Sequence, residues 1–337
     1  MKAELHPCFG SIPVNAENLE IVGVYHRRFE EKSWPTVWPR SGVIRWADGE
    51  IETETIWQKA HLQQCGDYHS KWSVIPEKRK GRYFNLSLFW STGYYHWICD
   101  VLPRLHGILP QLMASDMQVI VPPNLAAWQE RSLELVGLPR EKWLRYHGKR
   151  PWRVEHLFYA SPVSMTGDHE PESLRWLQQT MWQKCLGTAP EHGGWRKLYL
   201  TRKGTWSRNI ANETELLPLL AELGFEAVDC SALSFDAQVK LFSEASFVVG
   251  PHGAAFTNIL WAVPGIEVFE IFEPKAVRRC YWSLCKALGH RHSCGVARSV
   301  DSGIAGGEPN IWVDPREFAA ALDKALAGKR PGIAVVP

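Results

Sequence analysis

Residues 250–258 carry the strongest chemical signal in this sequence, because small residues flank a histidine where a predicted strand runs into a predicted helix. Such a junction lets a ligand approach the backbone, and the first N–H groups of a helix suit a phosphate or pyrophosphate. The alternative is a tight turn that needs glycine for a positive φ, and the residues alone leave both open. The phosphate-binding candidates are Gly250, His252, Gly253, Ala254, Thr257 and Asn258.

A second candidate segment, residues 201–208, follows a predicted strand and contains Arg202 and Arg208. Two guanidinium groups at the carboxyl end of a strand suit bidentate contacts with a diphosphate. The alternative is a solvated basic loop, because most charged side chains lie at the surface. The sequence lacks both G-x-G-x-x-G and the P-loop pattern, which argues against a dinucleotide-binding fold and against a P-loop enzyme.

The third candidate is the pair His96 and Asp100, in a stretch that is predicted to be helical from about Tyr94. At a spacing of four residues the two side chains lie on one face of a helix. A carboxylate beside an imidazole can act as a general base on an acceptor hydroxyl. The alternative is a buried hydrogen bond that holds the helix. Pro103 disfavours helical geometry at Leu102, so a departure from simple helix geometry is allowed for.

Weaker signals come from an acid and two histidines in the second half of the chain. Glu270 ends a predicted strand near residues 250–258, where a carboxylate can accept hydrogen bonds from ribose hydroxyls; an edge charge is the alternative. His290 and His292 resemble a metal-binding tract, but no third and fourth ligands lie at a convincing spacing. We therefore predict no metal site.

Composition excludes several classes of function. A length of 337 residues allows two domains with full cores, and a net charge of +2 is too small to make nucleic acid the main partner. None of the eight Cys forms a Cys-x-x-Cys pair, which argues against a zinc ribbon or dithiol site. The 17 Trp fill cores or stack on flat ligands such as sugar rings. Without a secretion signal or a membrane-spanning segment, the predicted location is cytoplasmic, with peripheral membrane association left open.

The elements that must position these candidates are clearest in the second half of the chain. Strands alternate there with helices, one of which is opened by Asn212 and Glu215. This alternation predicts an α/β fold with a parallel sheet, in which ligands bind beyond the carboxyl ends of the strands. A glycine- and proline-rich stretch near residues 185–195 predicts a boundary between two lobes, 1–188 and 189–337. Near the start of the first lobe, Asp48-Gly49 predicts a two-residue hairpin turn.

Taken in order, the three candidate segments resemble glycosyltransferase family 61, which includes capsular-polysaccharide proteins. The resemblance spans roughly residues 80–275, and Thr201 stands where the family usually has Ser. Each motif alone is modest, but the three in order are fairly specific. The residues that carry it are His96, Trp97, Asp100, Leu102–Leu105, Arg202, Arg208, Ile210, Asn212, Glu213, Gly250–Ala254, Thr257, Asn258, Pro264, Gly265, Glu270 and Ile271.

The resemblance implies a GT-B fold, in which two Rossmann-like lobes with parallel sheets surround a central cleft. It implies an inverting, metal-independent transfer of a sugar from a nucleoside-diphosphate donor, with UDP favoured, and no cofactor. The acceptor would be a hydroxyl of a glycan, glycolipid or protein, in bacterial surface or capsular polysaccharide synthesis. Asp100, with His96 as its partner, would be the base, while Arg202, Arg208, Asn212, Glu270 and residues 250–258 would bind the donor.

Two other functions remain open at this stage. The first is a non-catalytic protein of the same fold that binds a sugar nucleotide or a polysaccharide, which would tolerate loss of Asp100. The second is a methyltransferase or oxidoreductase of the Rossmann type, against which the missing glycine fingerprint argues.

Overall fold

The computed structural model describes residues 5–6, 29–56, 75–148, 150–162, 164–165, 167–300 and 308–327. Contacts divide the chain into two compact units, Gly23–Lys184 and Cys185–Pro337, and the second also takes in the short strand β1 (Leu5–His6). The division lies four residues before the boundary that the sequence places between residues 188 and 189, which stays a prediction. Cys8 and Cys65, like most of the first ten residues, lie outside the described residues.

The first unit contains a mixed sheet. The strands of the first unit as a whole are β2 (Phe29–Ser33), β3 (Thr36–Trp38), β4 (Val43–Arg45), β5 (Glu77–Asn85), β6 (Gln118–Val121), β7 (Trp143–Arg145), β8 (Trp152–Ala160), β9 (Ser164–Met165) and β10 (Asp168–His169). The strand order of the mixed sheet is β4-β3-β8-β5-β6-β7, and β2 also pairs with β8. Strands β5, β6, β7 and β8 are parallel to one another, whereas β2, β3 and β4 join as antiparallel neighbours.

This mixed sheet corrects the expectation of a parallel sheet in both lobes. Strands β3 and β4 are joined by a tight turn, and a connection that short allows only antiparallel pairing. The predicted turn at Asp48-Gly49 is present, with the Asp48 carboxylate accepting from the N–H of Glu50 at 3.0 Å. Its returning chain forms only one bridge, between Ile51 and Arg45, before a 3-10 turn.

The helices of the first unit follow its parallel strands. Asn124 is a favoured N-cap residue type and predicts a cap for the helix that follows it, but this prediction is wrong. That helix begins at Ala127, and the Gln129 side chain accepts from the N–H of Ala126 instead. The helices are α1 (Tyr94–His96), α2 (Leu109–Ala114), α3 (Ala127–Leu135) and α4 (Pro171–Leu186), with 3-10 turns at Thr53–Thr55, Leu102–Leu105 and Arg140–Lys142 and a π-helical turn at Trp97–Val101.

The second unit contains the predicted parallel sheet. The further strands of this unit are β11 (Arg196–Leu200), β12 (Phe225–Val228), β13 (Ala245–Pro251), β14 (Glu267–Phe272), β15 (Arg291–Val296), β16 (Arg298–Ser299) and β17 (Ile311–Trp312). The order of the parallel sheet is β1-β15-β14-β13-β11-β12, and every pairing within it is parallel. The helices of the unit are α5 (Glu213–Glu222), α6 (Phe235–Ser243), α7 (Cys280–Leu288) and α8 (Pro315–Leu326), with 3-10 helices at Cys230–Ala232 and Ala254–Trp261.

Alternating apolar residues bury one face of this sheet against α5 and α8. Tyr199 of β11, Val249 of β13 and Phe269 of β14 point to the same side, where they join Leu216 and Phe318 of the two helices. Every second residue of a strand faces one side of a sheet, whereas helices present residues three and four apart. The sequence pattern therefore dictates which faces meet, and burial of this apolar surface stabilises the unit.

Two features bear on the environment of the protein. Among the residues that the structure describes, no helix combines the length and the apolar composition needed to cross a bilayer. The six cysteines within the described ranges form no disulfide.

Buried His290 makes the stability of the second unit sensitive to acid. Its Nε2 donates to the Ile259 carbonyl at 3.0 Å, and burial lowers the pKa of His290 from 6.5 to about 4. Between those values the unfolded chain binds more protons than the folded one, so stability falls as the pH falls. We expect about 2 kcal/mol of the unfolding free energy to be lost between pH 7 and pH 5 through this group.

Urea unfolding at the two pH values measures this effect in the wild type and in His290→Gln. The variant removes the titrating group, so it is expected to lose less stability on acidification, whatever its stability at pH 7. The exposed His147 supplies the control His147→Gln, which is expected to behave as the wild type does. An unchanged loss of stability in His290→Gln would contradict the assignment.

Candidate functional site

The loops after β11, β13 and β14 adjoin at one edge of the second unit. The three strands are parallel neighbours, with Tyr199 opposite Val249 and Gly250 opposite Glu270. Their carboxyl ends therefore meet at the same edge of the sheet, as the sequence predicted for ligand-binding segments. The basic loop 202–208 and residues 250–258 are brought together there.

A direct contact between Arg202 and Gly253 joins these two segments. The guanidinium lies so close that a Cβ on Gly253 would come within 2.1 Å of its Nη1 atom. The backbone of Gly253 is extended, with φ at 175°, so the glycine is needed here for space and not for a left-handed conformation. Only a residue without a side chain leaves room for Arg202 at this point.

Arg202 is a partly buried cation. Its Nη2 donates to the Ser207 carbonyl at 3.2 Å, and its Nε is buried without a hydrogen-bond partner among the described residues. Burial, and then the neighbouring charge of Arg208, lower the pKa of Arg202 to about 10, so it remains charged at neutral pH. Within the described ranges no carboxylate lies at ion-pair distance from it. An anionic ligand would compensate a charge that has no ion-pair partner among the described residues.

Two further arginines share one acid beside this loop. Arg208 Nε lies 3.7 Å from Glu308, whose other oxygen accepts from Arg278 at 2.6 Å. Arg208 has a left-handed backbone with φ at 58°, which is uncommon outside glycine. Arg208 and Arg278 thus share Glu308 beside the loop that carries Arg202.

His252 is held by a buried carboxylate. Its Nδ1 donates to Glu270, and the second oxygen of Glu270 accepts from His292 Nε2 at 2.9 Å. Glu270 is fully buried, and although burial raises its pKa, the charge and hydrogen bonds of His252 and His292 outweigh that effect and lower it. The His252 ring also stacks on Phe272. Glu270 therefore orients His252, and direct contact of Glu270 with a ribose, which the sequence suggested, is not available to it.

The segment after His252 opens a 3-10 helix, Ala254–Trp261, with Gly253 as its first flanking residue. Phe256 N donates to the Gly253 carbonyl at 3.0 Å, so the turn closes on itself. The first N–H groups of a helix have no partner within it, and Ala254 at this end is exposed. The start of the 3-10 helix therefore lies beside both His252 and Arg202.

Other predicted donor-site residues have partners inside the protein. Asn258 is buried and bonds Gln238, Ala255 and Trp261, and Thr257 is buried 3.4 Å from the hydroxyl of Tyr281. These contacts fix the 3-10 helix and leave neither side chain at the surface. The sequence predicted that both bind the donor phosphates, whereas their burial indicates that they stabilise the fold.

Gly250 and Asn212 likewise serve the fold. A Cβ on Gly250 would meet the Leu200 carbonyl oxygen at 2.7 Å, so glycine is required for β13 to pack beside β11. The Asn212 amide exchanges two hydrogen bonds with the backbone of Val313, at 2.8 and 3.0 Å, and makes no side-chain cap on α5. The helix start predicted at Asn212 is correct, but its amide ties the basic loop to residues 310–313.

The first unit holds the His96–Asp100 pair. His96 Nδ1 lies 2.7 Å from Asp100 Oδ2, so the predicted spacing does bring the two together. The segment changes from α to π to 3-10 geometry, and the N–H of Leu102 donates five residues back to Trp97. Proline at 103 lacks the N–H that a continuous α-helix would use. Such π-helical turns occur often at functional sites.

The solvent exposure of the His96 and Asp100 side chains indicates which of the two a substrate could contact. Asp100 retains 1% of its side-chain surface, whereas His96 retains 26%. A substrate can meet His96 but not Asp100. The sequence assigned the base to Asp100 with His96 as its partner, and the geometry favours the reverse, with Asp100 fixing the tautomer and orientation of the imidazole.

Arg104 is a buried residue whose part the sequence did not reveal. It is fully buried, and its guanidinium donates to the carbonyls of Asn85, Leu86 and Ala160. These carbonyls lie at and just beyond the carboxyl ends of β5 and β8, so one side chain holds both strand ends. The arginine lies in the motif Leu102–Leu105, which carries the family resemblance but by itself assigns no part to this side chain.

Within the described ranges, no three His, Cys, Asp or Glu side chains are grouped so that they could hold a metal ion. His290 and His292, the suspected metal tract, are used otherwise. The first bonds the Ile259 carbonyl, and the second bonds Glu270.

Comparison with known proteins adds an independent finding. A model of the family described as Glycosyltransferase 61 matches residues 94–269. Two relatives, both named EGF domain-specific O-linked N-acetylglucosamine transferase, are similar to part of the chain. The protein of Gallus gallus is 29% identical over 140 residues, which are 40% of this chain and 26% of the relative. The protein of Drosophila melanogaster is 24% identical over 188 residues, which are 52% of this chain and 36% of the relative. The matched region therefore spans about a quarter to a third of these relatives.

Proposed function

Because the chain belongs to glycosyltransferase family 61, we propose that it transfers a sugar from a nucleoside-diphosphate donor to an acceptor hydroxyl with inversion. The family and the relatives support glycosyltransferase activity. The donor, the acceptor and the stereochemistry are parts of the proposal. So is the two-lobed GT-B arrangement.

The contact of Arg202 with Gly253 is the main observation in support of the proposed donor-binding site. It places a cation without a carboxylate partner among the described residues beside His252 and the start of a 3-10 helix. These groups suit a diphosphate, and the charge that develops on a departing diphosphate is what a fixed positive site stabilises. Arg202, His252 and the backbone N–H groups at Gly253 and Ala254 would bind it, while Arg208 raises the local potential. Glu270 acts as a positioning residue for His252.

His96 is the base in this proposal. Its Nδ1 is hydrogen-bonded to Asp100, and its Nε2 would take the proton of the acceptor hydroxyl. The hydroxyl oxygen then attacks the anomeric carbon as the bond to the diphosphate breaks. One such displacement needs a base and a stabilised leaving group, so no metal ion and no cofactor are part of the mechanism.

The remaining parts of the proposal concern the donor sugar, the acceptor and the location of the protein. The name of the two relatives indicates N-acetylglucosamine and a protein acceptor for those proteins, so UDP-N-acetylglucosamine is the first donor to try. We keep a glycan or glycolipid acceptor in bacterial surface or capsular polysaccharide synthesis as the proposed setting. A cytoplasmic location, with peripheral membrane association, belongs to the same proposal.

Calorimetric titration of the purified protein with UDP, GDP, CMP and ADP, with and without a chelator, tests the donor site. We expect saturable binding of one nucleotide, with UDP first, that the chelator leaves unchanged. Incubation with UDP-N-acetylglucosamine and mass spectrometry of candidate acceptors then tests transfer. Binding of none of the four nucleotides would overturn the proposed donor site, and binding that requires a divalent ion would overturn the metal-free mechanism.

A further inference from the structure

Trp206 is an exposed aromatic side chain on the basic loop. It retains 60% of its surface, and it lies between Arg202 and Arg208 in the chain. Most large apolar side chains of the described residues are buried. Within the part of the chain that the structure describes, the Trp206 indole has no ring or cation neighbour. More than half of the Trp206 surface is therefore available to a ligand.

The backbone that carries Trp206 is held in place on both sides. Before it, Thr205 N donates to the Arg202 carbonyl at 3.0 Å across a turn in which Gly204 has φ at 86°. After it, Asn209 bonds Thr205 and also Asn310, at 2.8 and 2.9 Å. A ring that is presented on a fixed turn loses little conformational freedom when a ligand stacks on it.

Trp206 also adjoins the proposed diphosphate site. The Arg202 guanidinium donates to the carbonyl of Ser207, the residue that follows Trp206. A ligand phosphate on Arg202 therefore lies beside the turn that presents the indole. The part of the ligand that is attached to this phosphate, on the side of the turn, would therefore contact the Trp206 indole.

We propose that Trp206 is the platform on which the nucleobase of the donor stacks, an inference that rests on the proposed function. Aromatic rings stack on nucleobases through dispersion and burial, and they tolerate any base because each has a π-face. A sugar ring can also stack on an indole, but its recognition depends on hydrogen bonds to its hydroxyls, for which residues 202–208 contain no carboxylate acceptor. Trp206 thus supplies affinity for a nucleoside and does not choose among bases.

Calorimetry with two ligands separates stacking from phosphate binding. UDP carries a base, whereas inorganic pyrophosphate has the same charged core without one. We expect Trp206→Ala to weaken UDP binding about tenfold or more and to leave pyrophosphate binding unchanged. Trp206→Phe keeps an aromatic face and is expected to bind UDP within about threefold of the wild type.

Trp195 supplies the matched control. It is the other exposed tryptophan of the second unit, at 69%, but it lies before β11 and under the Arg196 guanidinium. Trp195→Ala is expected to bind UDP as the wild type does. Equal weakening of UDP and pyrophosphate in Trp206→Ala, or unchanged UDP binding, would overturn the stacking inference alone. A wild type that binds neither ligand would instead overturn the proposed function.

Discussion

Replacing Arg202 by alanine is expected to weaken the binding of UDP about 50-fold. A bidentate hydrogen bond from an arginine to a phosphate is charge-assisted and contributes about 2–3 kcal/mol. Arg202 has no carboxylate partner among the described residues, so its removal takes away affinity without leaving a buried acid unpaired. Arg202→Lys keeps the charge but loses the planar fork, and it is expected to bind about tenfold less tightly than the wild type. Calorimetry measures both.

Gly253 tests the same contact without touching the arginine. In Gly253→Ala the new Cβ would lie 2.1 Å from Arg202 Nη1, and the end of that flexible side chain must move. Because the backbone is extended at Gly253, alanine adds no backbone strain. We expect about tenfold weaker UDP binding, by loss of one hydrogen bond to a charged group, and an almost unchanged thermal midpoint.

Gly193→Ala is the control, because no atom lies within 4 Å of the position of its new Cβ. It is expected to match the wild type in both affinity and thermal midpoint. UDP binding of wild-type strength in Gly253→Ala and in Arg202→Ala would contradict the donor site. A strong loss of stability in Gly253→Ala would show instead that the glycine serves the fold.

The second large effect is expected at the base. His96→Ala should lower the rate of transfer by about 10²–10⁴-fold, the usual contribution of a general base. The affinity for UDP should stay within about twofold, because His96 belongs to the first unit and the proposed diphosphate contacts belong to the second. Comparison of kcat with the dissociation constant of UDP separates the two effects.

Asp100→Asn tests whether the aspartate acts through His96. An amide keeps the shape but no longer favours the tautomer with a proton on Nδ1, so we expect a rate loss of about 10²-fold with UDP binding retained. The partly exposed His156 supplies the control His156→Ala, with unchanged transfer expected. An active His96→Ala beside an inactive Asp100→Asn would return the base to the aspartate. Full activity of both would leave the pair a structural hydrogen bond.

Local sequence predicted the second unit well because its elements repeat a simple pattern. The run Phe225–Val228 predicts and forms strand β12, and Ser234, a favoured N-cap residue, caps α6 by accepting from Ala237 N. The first unit was harder to predict. The antiparallel strands β2 and β3 pair with β8, far along the chain, and such long-range pairing leaves no local signal in the residues.

From the residues alone, the alternation of strands and helices predicts which segments meet, since parallel strands bring their carboxyl ends to one edge of a sheet. The spacing on a helix likewise predicts that His96 and Asp100 face each other. What each polar side chain does is visible only in the fold, because burial depends on the packing of distant residues. Glu270 and Asp100 are acids whose oxygens are enclosed, whereas Arg202 and His96 keep part of their surface for a ligand.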